Sequence, residues 1–165
     1  MTELPFRFSL PERPGPRPRT DNAVPHLQKT QKSPESLRTR LVLWGAAALP
    51  HVIEEDTRIS VSATRALWLS QEVAAAHPDA FMPPADSREF AHVHADGSMH
   101  ICVSDDVARE IVERGWGELH PLKDKGVTEV LFYAPRDSEE FEIAKYAIAE
   151  SWSYATGKPN PVDRE

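Results

Sequence analysis

Hydrophobic positions change their spacing several times along the chain, and each change predicts an element. Leu37, Leu41, Trp44 and Ala48 recur at helical intervals and stop before Pro50. Ser33 suits the N-cap of that helix and Pro34 its first residue. "TRISVS" (57–62) alternates, with Ile59 and Val61 against Arg58, Ser60 and Ser62, as a half-buried strand does. "RALWL" (65–69) reads as a second strand. "SQEVAAAHPDAFMPPADS" reads as a helical turn or two and then a proline-rich loop. Residues 88–103 form a hairpin around Asp96-Gly97. A helix then starts at Ser104, with Asp105 and Asp106 in its first turn and Val107, Ala108, Ile111 and Val112 on its buried side, and stops at Gly115. "EVLFYA" (129–134) is apolar on both faces, which predicts a central strand. Asp137 and Glu140 open a last helix that turns Phe141, Ala144, Ile148 and Trp152 inward. Together these predict an α+β domain: an antiparallel or mixed sheet of about five strands, with helices mainly on one face.

Residues 1–32 break the pattern. Pro5, Pro11, Pro14, Pro16, Pro18 and Pro25 run through them, so a Pro-rich, extended, flexible arm is expected. The division is then arm 1–32, a single domain 33–157 and a C-terminal tail 158–165. The chain has 165 residues, enough for one domain with a core. Its 26 acidic against 19 basic side chains give a net charge of −7, which argues against nucleic-acid binding. The longest apolar run, "LVLWGAAAL", has nine residues, whereas a membrane span needs about 20. A lone cysteine, Cys102, excludes a disulfide framework and a four-cysteine zinc site, and fits a reducing, cytoplasmic setting.

The chemistry concentrates in the hairpin. A two-residue Asp96-Gly97 turn would set His94 opposite Met99 and mix histidine with aliphatics on both faces. A three-residue Asp96-Gly97-Ser98 loop would set His94 opposite His100 and His92 opposite Cys102. The second register gathers Ala91, Val93, Ala95, Met99, Ile101 and Val103 on one face, and Phe90, His92, His94, His100, Cys102 and Ser104 on the other. It segregates apolar from polar and is the one expected. Glu118 and His120, two residues apart in "RGWGELHPL", should approach the same histidine face.

"EFAHVHADGSMHICVS", "ERGWGELHPL" and "YAPRDSEEFEIAKYAI" together resemble the luciferase-domain family, which includes the oxygen-dependent luciferases of luminous fungi. The resemblance runs from about Arg58 to Tyr154. It implies dioxygen chemistry on a small enolic or phenolic compound, such as the pyrone 3-hydroxyhispidin, with no cofactor expected beyond dioxygen as co-substrate. A base would remove an enol proton, the enolate would pass an electron to oxygen, and the peroxide would collapse with loss of carbon dioxide. In that reading His92, His94, His100, Glu118 and His120 are the candidate catalytic residues. Arg65 would clamp the enolate, while Trp68, Cys102, Trp116 and Tyr133 complete the substrate contacts. Asp96, Gly97 and Ser98 have a structural reason as a turn. Two alternatives stay open: a noncatalytic small-molecule-binding module, and a transition-metal enzyme using His92, His94 and His100, since His-x-His on a strand is good ligand spacing.

Overall fold

The computed structural model describes residues 7–61, 63–126 and 128–163. Among the described residues, six strands form one fully antiparallel sheet in the order β1-β2-β3-β4-β6-β5. They are β1 (Val52–Asp56), β2 (Arg65–Leu69), β3 (Glu89–Val93), β4 (Met99–Cys102), β5 (Gly117–Leu119) and β6 (Glu129–Phe132). Three helices accompany them: α1 (Glu35–Ala48), α2 (Asp105–Glu113) and α3 (Ser138–Thr156). The fold is α+β as expected, with one strand more than the pattern suggested. Among the described residues no helix is long and apolar enough to cross a membrane.

The helix caps follow the sequence closely at α2 and α3. Ser104 accepts from the Val107 N–H, and Asp137 from the Glu140 N–H at 2.9 Å. At α1 the structure differs by one residue: Pro34 is the cap, and the Ser33 hydroxyl donates to the Pro135 carbonyl instead. The buried stripe of α1 is Leu37, Leu41, Val42 and Gly45; Ala48 faces outward. All four inward residues expected of α3 are buried. With Val93, Ile101, Val103 and Phe132 they form a continuous apolar core between sheet and helices.

Residues 57–61 do not form the expected strand. The alternation there is real, but β1 lies just before it, and residues 57–61 form a loop (Ser62 lies outside the described residues). Thr57 and the Arg58 N–H bind the Glu89 carboxylate instead of a neighbouring strand.

The arm also differs from expectation over residues 7–32. Phe8 stacks on Tyr146 of α3 with ring centroids 4.7 Å apart, and Leu10 joins the core. The chain then follows the sheet edge at β5: the Trp116 indole donates to the Pro11 carbonyl, and Arg17 donates to the carbonyls of Val112 and Gly117. A bridge between Thr20 and Gln28 closes a loop, and Gln28 is anchored to Asp96 and Ala134. Prolines forbid a helix here but not a docked extended strap, whose polar backbone finds partners on the domain.

Candidate active site

The hairpin pairs His92 with His100, Val93 with Met99 and Ala91 with Ile101. The loop is Ala95-Asp96-Gly97, closed by the His94 N–H on Ser98 O and the Gly97 N–H on His94 O. This pairing lies two residues from the expected one. A shift of two preserves side-chain parity, so the predicted division of faces holds although the partners change. Gly97 has φ +94°, and a Cβ there would meet the Ser33 hydroxyl at 2.3 Å, so the turn requires glycine.

Strand β3 carries a bulge. Leu67 pairs with Ala91 but Trp68 pairs with Glu89, which leaves Phe90 without a partner. The extra residue resets the alternation and turns Glu89 onto the histidine face. Phe90, expected on that face, enters the apolar core instead. Glu89 Oε2 then lies 2.7 Å from His92 Nδ1, with both side chains almost fully buried.

From there a continuous chain of contacts crosses the site. His92 Nε2 is 3.1 Å from His100 Nδ1. His100 Nε2 is 3.1 Å from His26 Nδ1, and His26 Nε2 is 3.0 Å from Glu118 Oε2. Glu118 also accepts from the hydroxyls of Thr20 and Tyr133. Burial alone would raise its pKa, but the His26, Thr20 and Tyr133 hydrogen bonds outweigh it and hold the carboxyl below its usual range. His94 lies beside this chain, its ring centroid 5.0 Å from His92 and 4.8 Å from His100, with Nδ1 on the Ser98 hydroxyl at 2.9 Å. His120 stands 5.3 Å from His100 and 5.5 Å from His26, and its Nδ1 accepts from the Leu122 N–H.

These groups line a cavity of about 390 Å³. Its walls are His26, His92, His94, His100, His120 and Glu129, and its rim is Val24, Pro25 and Leu27 of the strap with Ile59, Ser60 and Val61 of the 57–61 loop. Burial pushes the imidazoles toward neutrality: His94 down to about 2 and His120 to about 4, with nearby histidines adding to the shift. His100 is held well below its usual value, by burial first and then by the neighbouring histidines. Glu129 moves oppositely. Burial first, then the Glu89 carboxylate, pushes it up to about 7.

The structure therefore brings His92, His94, His100 and His120 into one cavity and places Glu118 behind it, through His26. It does not bring the other candidates there. Arg65 lies on the helix side of the sheet, paired with Glu54 and Asp56, because its register partner is Val93 rather than a histidine. Trp116 stacks on Phe132 in the core, and Trp68 lies under the Arg58 guanidinium outside the cavity walls. Tyr133 serves Glu118 from behind. Cys102 faces the histidine side but is fully buried opposite Glu129 and is not among the cavity walls; burial and that carboxylate push its thiol pKa well up. Asp96 and Ser98 do more than turn the chain, since the Asp96 carboxylate holds the Ser98 hydroxyl that orients His94.

Three site residues escaped the sequence reading. His26 sits in the strap, where no periodicity marks it. Glu89 reaches the site only through the bulge. Glu129 did leave a signal, as a lone acid heading a strand otherwise buried on both faces.

The family model for the Luciferase domain matches residues 87–151, the span from the β3 bulge to the last turns of α3. The chain is 32% identical over 169 residues to a luciferase of Armillaria mellea, a match covering 91% of this chain and 62% of that protein. It is 33% identical over 172 residues to a luciferase of Armillaria gallica, covering 93% and 64%, and 29% identical over 169 residues to one of Neonothopanus nambi, covering 91% and 62%. The chain thus matches the luciferase domain over residues 87–151 and is similar to these luciferases along most of its length. It spans a little under two thirds of the length of those relatives. No solved structure matches it significantly.

Proposed function

We propose that the histidine-walled cavity is a luciferase-like active site that oxidises a small enolic or phenolic compound with dioxygen. Its relatives support a luciferase-like function. The observation that carries the finer reading is Glu129. Enol oxidation needs a base poised near neutral pH. Burial leaves His94 and His120 too weakly basic for it, whereas Glu129, on the same wall, is pushed up to about 7. A carboxylate with that pKa accepts the enol proton with little mismatch. The His120 ring, with Nε2 3.7 Å from Glu129 Oε1, carries its hydrogen on that nitrogen and can donate to the resulting oxyanion. The cavity volume suits a compound of one or two rings.

The test is oxygen uptake and light emission with 3-hydroxyhispidin and a panel of simpler 3-hydroxypyrones and catechols. Glu129→Gln should lower kcat by about 10²-fold or more while near-UV circular dichroism stays unchanged. Ligand-induced thermal stabilisation without oxygen uptake or product would instead identify a noncatalytic binding module.

A further inference from the structure

The imidazole hydrogens in this cavity can be assigned from their partners, and the count does not close. Glu89 already receives the Thr57 hydroxyl and the Arg58 N–H, so it is an acceptor and His92 carries its hydrogen on Nδ1. The Ser98 hydroxyl donates to Asp96 Oδ1 at 2.5 Å, so it accepts from His94, whose hydrogen is also on Nδ1. Glu118 receives the Thr20 and Tyr133 hydroxyls, so His26 donates to it from Nε2. The bare nitrogens are then His92 Nε2, His94 Nε2 and His26 Nδ1.

His100 lies between two of them, 3.1 Å from each, and a neutral ring has one hydrogen. If that hydrogen points to His26, then His100 Nδ1 and His92 Nε2 face each other as lone pairs, and the His94 ring stands alongside, its centroid 5.0 Å from that of His92 and 4.8 Å from that of His100. Two facing lone pairs with no hydrogen between them, and a third imidazole alongside, call for a cation.

We propose that His92 Nε2, His94 Nε2 and His100 Nδ1 form a three-histidine site for a divalent first-row transition metal. One ring nitrogen from each of these three residues lies within 4.8 Å of the other two. A tetrahedral site with bonds of 2.0–2.1 Å has edges of roughly 3.4 Å, so the His92–His100 edge is already close and small ring rotations bring in the third. Each ligand has its other ring nitrogen hydrogen-bonded: His92 to Glu89, His94 to Ser98 and Asp96, His100 through His26 to Glu118. Outer-shell acceptors of this kind fix ring orientation and tautomer at histidine metal sites. All three rings line the cavity.

A second triad, His26, His100 and His120, is equally compact. It lacks a lone pair, because His120 Nδ1 is occupied by the Leu122 N–H and Nε2 carries the hydrogen. An extra proton on His100 is the rival cation, and burial among four neighbouring imidazoles works against it.

The test uses full-length protein without a histidine tag, stripped with a chelator and titrated with Co(II) while visible absorption is followed. One equivalent should bind with the intense bands of a low-coordinate Co(II)-imidazole complex. His92→Ala and His94→Ala should lose them, Glu89→Gln should weaken binding 10–100-fold, and His120→Ala should keep full uptake. No stoichiometric Co(II) uptake by the unmutated protein overturns the site, as does uptake that survives His94→Ala. The outcome is separable from the proposed oxidation, although both concern one cavity. Stoichiometric binding without turnover across the enol panel would remove the oxidation and keep the metal. Undiminished oxygen uptake by a protein that binds no Co(II) would do the reverse.

Discussion

The two faces of the sheet come from the same strands and are almost equally buried, yet they are covered in different ways. On one face Val93, Met99, Ile101 and Phe132 meet apolar stripes of α1 and α3. On the other, His92, His100 and Glu129 meet a cavity roofed by the strap and the 57–61 loop. Apolar side chains need only volume-filling neighbours, which helices provide. Buried imidazoles and carboxylates need individually placed partners, which extended backbone and its irregular side chains provide. Burial therefore stabilises the first face and tunes chemistry on the second.

Substitutions should separate the two faces. The largest effect is expected on the helix side. Ile101 is fully buried there, and Ile101→Ala should cost about 2–5 kcal/mol, lowering Tm by roughly 5–15 °C in thermal unfolding. A drop of under 2 °C would mean that the helices do not pack on this face as described.

The next effect has the opposite sign. Glu129 has a folded pKa of about 7 against an ordinary 4.5. Below pH 4.5 it is protonated in both states and costs nothing. Between 4.5 and 7 the unfolded chain ionises first, so stability falls as pH rises, and above 7 the full penalty applies. Glu129→Gln should remove that penalty, a gain of at most about 3 kcal/mol near pH 8 that vanishes near pH 4. Urea unfolding at the two pH values measures it; a variant less stable than the parent at pH 8 would show that the carboxylate is not held at a cost.

The smallest effect should come from Arg65, which sequence reasoning placed in the site and the register places behind it. Its pair with Asp56 is solvent-exposed and its pair with Glu54 partly so. Arg65→Ala should change stability by no more than about 1 kcal/mol and leave KM and kcat within twofold. A tenfold loss in kcat would place this side chain in the reaction after all.

The contrast between the faces also explains what was legible in the sequence. The helix-packed face follows periods of two and 3.6, so the caps Ser104 and Asp137, the inward residues of α3 and the parity of the hairpin were all readable. The strand pairing itself slipped by two because the sequence marks the turn but not which residues close it. On the cavity face, His26 arrives by a proline-rich strap and Glu89 by a bulge. Neither device has a period, and each depends on contacts with residues tens of positions away. Arg65 and Trp116 were misplaced for the same reason: chemical type suggested a site, while register and packing decided the face.

The pH dependence of initial oxygen-uptake rates with 3-hydroxyhispidin, measured from pH 5.5 to 8.5 on parent protein and Glu129→Gln, tests the proposed chemistry most directly. The parent rate should climb through about pH 7 as Glu129 loses its proton, then level off. The variant should be slower by about 10²-fold or more, without that rise. A variant that keeps the parental rate and profile, or a parent that consumes no oxygen with this compound or the wider enol panel, would contradict the account.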